Sequence, residues 1–356
     1  MLNRVTFILA AVFALALSAV TGCVKTYDPA QERGNAICFE AGSLLLVDDA
    51  TTRATLTDSF AEDSTFAVFG NWVSSEVKTT VFGGTNGVTV TADDHDSNPS
   101  TPLIWTYSPV RFWYWGSTSD WYDFAAVSPS GKGTVKMDIS GNLAISTHFD
   151  LASDNYDLMG SAYRRKGNVQ NPSETVPLHF NHLTSAVRVR VINNSELTGV
   201  TLDEVWFKNL VVVGDAKVTL DNYGNAEFSW INTERNTSVV RDSTPDASID
   251  HGNSYYTPFD IMIPQRLDQA AAVGGLVSDM PTMRVYYTPS GSSQKYEDIT
   301  LKDVCPRDSE TPISSWAIGT KYTYEVSMRL DGGVLVSITT TDWGETIEAE
   351  TPGLLI

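Results

Sequence analysis

The stretch KYTYEVSMRLDGGVLVSIT, residues 321–339, contains the strongest indication of the fold. Its first half places apolar side chains at alternate positions: Tyr322, Tyr324, Val326, Met328 and Leu330. After Asp331-Gly332-Gly333, its second half repeats the alternation at Val334, Val336 and Ile338. A period of two is typical of a half-buried strand, and an Asp-Gly step between two such runs favours a β-hairpin. The stretch therefore predicts two antiparallel strands.

The same alternation recurs along the chain, for example at Leu103–Tyr107, Tyr122–Ala126 and Val135–Ile139. In Val187–Val191, valines alternate with arginines, which predicts one apolar and one polar face. Turn-forming residues separate these runs, and no long amphipathic helical pattern competes with them. Many short strands with frequent turns predict an all-β protein built of antiparallel β-sandwiches.

Composition limits the size and partners of this protein. The chain has 356 residues, with 24 basic and 43 acidic side chains, so its formal net charge is −19. Such acidity repels nucleic acid, and we expect no nucleic-acid partner. The length fits two domains. We place the boundary in the polar segment before the Val187–Val191 strand, which gives tandem β-sandwich domains over residues 36–177 and 178–356.

The first residues have the pattern of a secretory signal peptide. Arg4 precedes the uncharged, mostly apolar run Val5–Val20, and Val20-Thr21-Gly22-Cys23 follows. A small residue before a cysteine matches a lipobox, so we predict a lipoprotein signal peptide at 1–22, lipid on Cys23 and a polar tether at 23–35. An ordinary signal peptide with a chance cysteine is the alternative.

Candidate sites for chemistry are weak. His179 and His182 lie three apart on a predicted strand, so they point to opposite faces and suit no shared metal. The acidic run Asp93–Asn98 lacks the glycine and closing glutamate of an EF-hand. The sequence contains no nucleophile elbow, P-loop or HExxH motif. We therefore expect no metal, no cofactor, no catalytic residue and no enzymatic activity.

Aromatic residues are concentrated in Arg111–Trp115 and at Trp121-Tyr122. One interpretation is an exposed platform on which sugar rings stack. The other is packing in the core, because aromatic side chains bury large areas and favour strands. We favour packing; buried rings would support it, whereas a flat exposed row would support glycan binding.

Several segments together resemble the fimbrillin family, the pilins and pilus-associated lipoproteins of Bacteroidia. They are the lipobox at Cys23, Ala36–Val47 followed by Thr51–Thr55, Phe66–Trp72, Trp105–Pro129, Leu178–Leu183 and Trp343. The resemblance extends over nearly the whole chain after Cys23. It implies two transthyretin-like β-sandwich domains, delivery to the outer membrane as a lipoprotein, and assembly by strand exchange.

In that family, a protease cuts after an arginine and the first strand is lost. Carried onto this sequence, the cut falls between Arg53 and Ala54, and the lost strand lies in Ala36–Val47. The donor strand for the next subunit lies in Gly333–Ile356. Its apolar positions are Val334, Val336, Ile338, Leu354 and Ile356. An emptied strand position is a template for β-addition.

The remaining cysteines, Cys38 and Cys305, could pair in an oxidising compartment or remain isolated thiols. Because the cut implied by the resemblance discards Cys38, we expect both to be thiols.

The implied function is that of a non-enzymatic pilus subunit or pilus-associated protein, exposed at the cell surface or in the pilus and active in adhesion or biofilm formation. Its partners would be other pilin subunits, an envelope protease cutting after arginine, the outer membrane through Cys23, and a host or bacterial surface receptor. The alternative is a surface glycan-binding lipoprotein with an exposed aromatic platform.

Overall fold

The computed structural model describes residues 36–43, 60–61, 63–74, 77–93, 103–114, 117–167, 175–195, 199–270, 279–307, 309–329 and 334–343. Strands dominate these ranges, and helical structure in them is confined to short turns such as the 3-10 helix Leu301–Asp303. Within the same ranges, no helical segment has the length and apolarity that a bilayer crossing requires. The predicted all-β class is confirmed.

The strands of the described ranges follow in chain order. They are β1 (Phe39–Ser43), β2 (Thr65–Ser74), β3 (Val77–Phe82), β4 (Val88–Asp93), β5 (Ile104–Thr106), β6 (Trp121–Ser128), β7 (Val135–Asp138), β8 (Ala144–Asp150), β9 (Met159–Lys166), β10 (Val176–His182), β11 (Ser185–Asn193), β12 (Gly199–Leu220), β13 (Ala226–Ser243), β14 (Ala247–Asp250), β15 (Ser254–Tyr256), β16 (Asp260–Met262), β17 (Gln265–Arg266), β18 (Thr282–Pro289), β19 (Lys295–Thr300), β20 (Ser315–Trp316), β21 (Thr320–Met328) and β22 (Val334–Asp342).

These strands form three larger sheets. The first sheet has the order β1-β10-β9-β6-β2-β4-β5, with β3 also paired to β2. The second sheet has the order β15-β11-β21-β22, with β16 also paired to β11. The third sheet has the order β19-β18-β12-β8-β7, and β13 and β14 pair with β12 as well. Strands β17 and β20 form a separate small pair.

The hairpin expected from residues 321–339 is confirmed. Strands β21 and β22 are antiparallel, in a continuous register from Thr320 opposite Asp342 to Met328 opposite Val334. The side chains of Tyr322, Tyr324, Val326 and Met328 are all buried, as their alternation predicts. The Asp331-Gly332-Gly333 turn lies outside the described residues.

The Val/Arg strand is also as predicted. In β11, Val187, Val189 and Val191 are completely buried on one face. On the other face, the Arg188 guanidinium lies 4.4 Å from the centroid of the Phe259 ring. An ion pair of 2.8 Å joins Arg190 Nη1 to Glu325 Oε1 of the neighbouring β21. The valine face of β11 is therefore completely buried, whereas its arginine face is half-buried.

Two apolar cores meet at the first sheet. The aromatic core is built around Ile37, Phe39, Phe66, Val68, Phe82, Trp105, Tyr107, Trp113, Tyr122, Phe124, Val176, Leu178 and Phe180. The main core joins the second and third sheets. In β2, Phe66 belongs to the aromatic core, whereas Ala67 and Phe69 belong to the main core. Strand β2 therefore reads as a continuous apolar run, because it is buried on both faces.

The sheets do not follow the order of the chain. Hairpin β7–β8 lies between β6 and β9 in sequence, yet β8 pairs with β12 of the third sheet through residues 144–150. Strand β10 spans the expected boundary at residues 177 and 178 and belongs to the first sheet. The division into domains at 36–177 and 178–356 stays a prediction.

Candidate functional site

Strand β1 occupies the edge of the first sheet and is short. It pairs with β10 in parallel, from Phe39 opposite Val176 to Ser43 opposite Phe180. Two further backbone hydrogen bonds hold the residues beside it: Ile37 N–H donates to Arg111 O at 2.9 Å, and Val176 N–H donates to Cys38 O at 2.8 Å. This strand lies within Ala36–Val47, the segment expected to be lost on processing.

The inward side chains of this segment are deeply buried. Ile37 is 0% exposed and Phe39 is 5% exposed, whereas Glu40 faces solvent. The Phe39 ring makes edge contacts with four others, with centroid separations of 6.0 Å to Phe66, 5.4 Å to Phe82, 5.6 Å to Tyr107 and 5.8 Å to Phe124. The Phe39 side chain is therefore inserted among four other rings of the aromatic core. We call the surface that Ile37 and Phe39 cover the β1 groove.

Tyr107 fastens this segment from the opposite side. Its hydroxyl donates to Ile37 O at 2.7 Å and accepts from Arg111 N–H at 3.2 Å. Nearby, the buried Tyr122 hydroxyl accepts from Tyr114 N–H at 2.8 Å. Burial raises the pKa of Tyr122, and the bond from Tyr114 partly offsets this. The Tyr122 hydroxyl therefore stays protonated at neutral pH, and both hydroxyls serve as structural hydrogen-bond partners.

The aromatic row predicted at 111–122 is divided between core and surface. Trp113 is 4% exposed and Tyr122 is 1% exposed, so both pack in the aromatic core. Phe112 and Tyr114 are exposed, at 60% and 65%. Trp115 lies outside the described residues. Packing therefore accounts for the two buried rings, and Trp113 contributes to no flat exposed platform.

The predicted processing and donor residues fall in different places. Cys23, Arg53, Ala54, Leu354 and Ile356 lie outside the described residues, as does most of the acidic run at 93–98. Val334, Val336 and Ile338 are part of β22 and pair with β21 of the same chain. Ile338 is completely buried, and its N–H donates to Cys305 O at 3.1 Å.

Strand β22 leads into Trp343, which anchors its end. The Trp343 N–H donates to Gly319 O at 2.9 Å, and the ring is 5% exposed. The ring stacks on His182 with a centroid separation of 4.2 Å and an interplanar angle of 13°. His182 Nδ1 lies 2.8 Å from the buried Asp157 Oδ2. Trp343 thus fixes the end of β22.

Strand β10 connects the two regions. Residues 176–180 of β10 pair with β1, and its last residue, His182, carries the Trp343 stack. The β1 groove and Trp343 therefore contact the same strand. The sequence suggested both Leu178–Leu183 and Trp343, but the contact between them joins residues 161 positions apart and has no local signal.

The described histidines and cysteines are not grouped as metal ligands. His179 is exposed and His182 is buried, on opposite faces of β10 as predicted. Among the described residues, no group of three His, Cys, Asp or Glu side chains could hold a metal ion. Cys38 and Cys305 are thiols and not a disulfide, as expected.

The fold and the β1 groove define an all-β protein with a short edge strand seated in an aromatic-lined groove. A family model described as fimbrillin-like matches residues 52–343, and the chain belongs to that family. No curated protein sequence matches the chain.

Three solved structures are similar to this chain. A fimbrial protein from Bacteroides vulgatus is 15% identical, with a TM-score of 0.52 over 87% of this chain and 100% of that one. A candidate cell adhesion protein from Bacteroides uniformis is 17% identical, with a TM-score of 0.47 over 88% and 100%. The tip fimbrial protein Mfa3 from Porphyromonas gingivalis is 11% identical, with a TM-score of 0.40 over 79% and 95%.

Proposed function

We propose that this protein is a non-enzymatic pilus subunit or pilus-associated protein of the bacterial surface, which assembles by protease-triggered strand exchange and acts in adhesion or biofilm formation. Family membership supports the pilus role. Strand exchange is supported by the way β1 is bound. It is a short edge strand paired in parallel with β10, and Phe39 together with the preceding Ile37 fills an aromatic groove.

The proposed trigger is a cut between Arg53 and Ala54. Before the cut, β1 is covalently joined to the rest of the chain, so its departure is opposed by chain connectivity. After the cut, the segment is retained by the β10 pairing, by the hydrogen bonds of Ile37 to Arg111 and Tyr107, and by the buried side chains. Burial of a Phe or Ile side chain contributes about 1.5–3 kcal/mol each. An incoming strand that replaces both side chains recovers this energy and pairs with β10.

The proposed donor is the segment after Trp343. Leu354 and Ile356 lie two residues apart in sequence, the spacing that Ile37 and Phe39 have in the groove. Val334, Val336 and Ile338 are the other expected donor positions, but using them requires β22 to separate from β21. The later segment avoids that loss, so Leu354 and Ile356 are the favoured pair.

The proposed route to the surface uses the signal peptide at 1–22 and lipid on Cys23, which delivers the protein to the outer membrane. If the chain is cut after Arg53, the lipid leaves with the first strand. The partners are then other pilin subunits, the processing protease and a surface receptor.

The trigger is tested by limited trypsin treatment, followed by N-terminal sequencing and gel filtration. We expect a new N-terminus at Ala54 and conversion of monomer to oligomers. Arg53→Ala should block both without unfolding the protein, whereas Arg53→Lys, which trypsin still cuts, should behave as wild type. Oligomers formed equally by Arg53→Ala would remove Arg53 from the mechanism.

The donor is tested by ending the chain after Trp343, which keeps β22 and its anchor. We expect this variant to be cut but to remain monomeric, while the double variant Leu354→Asp, Ile356→Asp gives the same result in the full chain. Normal oligomers from both variants would assign donation to β22 instead.

A further inference from the structure

A cleft of about 390 Å³ is lined in part by residues of β6 and β9 in the first sheet. One side is formed by loop residues 118–120, Trp121 at the start of β6, and Arg164 and Lys166 in β9. The other side is formed by Asn222 and Tyr223, in the turn between β12 and β13. We call it the Trp121 cleft. It joins two sheets through side chains that come from three separate parts of the chain.

The turn that carries Tyr223 is rigidly built. Asp221 Oδ1 accepts from Tyr223 N–H and from Asn225 N–H, both at 2.8 Å. These bonds lower the pKa of Asp221, with the Asn225 N–H as the largest cause. Gly224 adopts φ +92°, and a Cβ there would come within 2.7 Å of the Arg164 side chain. The turn therefore packs directly against β9.

The Arg164 guanidinium makes its hydrogen bonds within the protein and links β9 to this turn. Its guanidinium donates to Asp123 at 2.6 and 2.9 Å, and to Asn222 O at 3.3 Å. It also lies 5.4 Å from the centroid of the Trp121 ring. Its charge is neutralised by Asp123, so Arg164 positions the cleft and leaves ligand charge to another group.

The side chains left available in the cleft are aromatic rings and hydrogen-bond donors. Tyr223 is 85% exposed, although its backbone is fixed, and Trp121 is half-buried beside the cleft. Lys166 is exposed and forms no ion pair with any described residue. Asn222 accepts from Asn142 through Oδ1 at 3.1 Å, which leaves its amide N–H groups directed to no described acceptor.

The acidic side chain of the cleft is occupied. Asp120 is 1% exposed, and its carboxylate accepts from Ser74 Oγ at 2.7 Å and from Ser117 N–H at 3.0 Å. The groups free to meet a ligand are therefore donors and one cation, in a protein whose net charge is −19. Exposed aromatic faces beside such donors suit a ring with an apolar face and acceptor substituents.

We propose that the Trp121 cleft binds a carboxylate-bearing pyranose of a surface glycan. In this complex the sugar ring stacks on the Tyr223 ring and lies next to Trp121. The Asn222 amide donates to sugar oxygens, and Lys166 forms an ion pair with the sugar carboxylate. This deepens the adhesive part of the proposed function and rests on it, but it requires neither cleavage nor strand exchange. The cleft shares Trp121 with the aromatic row considered from sequence, but Trp113 and Tyr122 of that row are buried, and the second exposed ring, Tyr223, comes from another part of the chain.

The test is an NMR titration of the uncut protein with matched glycosides. Methyl β-D-glucuronide and methyl β-D-glucoside differ only in the carboxylate, and the methyl glycoside of N-acetylneuraminic acid represents the other common acidic sugar. We expect an acidic glycoside to bind at least about tenfold more tightly than the glucoside, a difference of ~1.4 kcal/mol. Added salt should weaken the acidic arm selectively.

Three variants identify the groups. Tyr223→Ala should lower affinity about tenfold for all sugars, and Lys166→Met should abolish the preference for acid while neutral binding is kept. Tyr296→Ala, a matched exposed tyrosine on β19, should change neither. Binding of either acidic sugar with these effects supports the cleft. If neither acidic sugar binds, or if Tyr296→Ala loses as much affinity as Tyr223→Ala, the proposal is overturned. Because uncut monomer is used, failure here is distinguishable from failure of assembly.

Discussion

Strands β1 and β22 both lie at the edge of a sheet, but they are held differently. Strand β1 has a parallel pairing from Phe39 to Ser43 and depends on two buried side chains beneath it. Strand β22 has a longer antiparallel register, a bridge from Ile338 to Pro306 on its outer side, and Trp343 at its end. Parallel pairing is slightly less stable per residue than antiparallel pairing. The comparison indicates that side-chain insertion retains β1, whereas backbone pairing retains β22.

The largest expected effect is that of Phe39→Ala. Removing a core Phe costs about 3–5 kcal/mol, and the four ring contacts of Phe39 place it at the centre of the aromatic core. Urea unfolding of the uncut protein should show this loss. After the Arg53 cut and assembly, wild type and variant should have equal stability, because residue 39 has left. Glu40→Ala, on the same strand but exposed, is the control. A loss below about 1 kcal/mol would show that β1 is not retained by its side chains.

A smaller effect is expected from Trp343→Ala. Truncation of a buried Trp costs about 3 kcal/mol where the end of a strand can relax, and the variant loses the stack on His182. In contrast to Phe39→Ala, this loss should persist after the cut, since Trp343 stays with the subunit. Thr340→Ala, exposed on β22, provides the control for the same unfolding measurement. Equal stability of variant and wild type would mean that Trp343 does not anchor the end of β22.

The smallest effect is expected from Tyr324→Phe, on the partner strand of β22. Tyr324 Oη accepts from Trp316 Nε1 at 3.0 Å, and both side chains are buried. Burial raises the pKa of Tyr324, so the hydroxyl is neutral at physiological pH. The change leaves a buried indole N–H without its acceptor, at a cost of about 1–2 kcal/mol. Tyr296→Phe at an exposed position should cost nothing measurable. If Tyr324→Phe leaves the free energy of unfolding unchanged, the main core must repack around the lost hydrogen bond.

Much of this architecture could be predicted from local pattern. The hairpin β21–β22 follows from alternation over residues 321–339, and the buried valines of β11 follow from Val187–Val191. The opposite orientation of His179 and His182 follows from strand geometry alone. Such features depend on residues close in sequence, and even the outermost hairpin pair, Thr320 and Asp342, is only 22 positions apart.

The candidate sites depend on longer distances. The aromatic run 111–122 gives no sign of which rings enter the core, because Trp113 packs on Phe124 while Phe112 remains exposed. The Trp121 cleft could not be predicted from the sequence either, because Tyr223 is brought next to Trp121 by the packing of Gly224 on Arg164.

By itself, the sequence determined the all-β class and the β21–β22 hairpin, because alternation and turn residues act locally. Only the tertiary structure decided that Phe39 is inserted into the aromatic core and that Trp343 stacks on His182. It also decided that β10 contacts both β1 and Trp343. The physical reason is that these contacts join strands far apart in the chain. Burial and register select them only when the sheets are assembled.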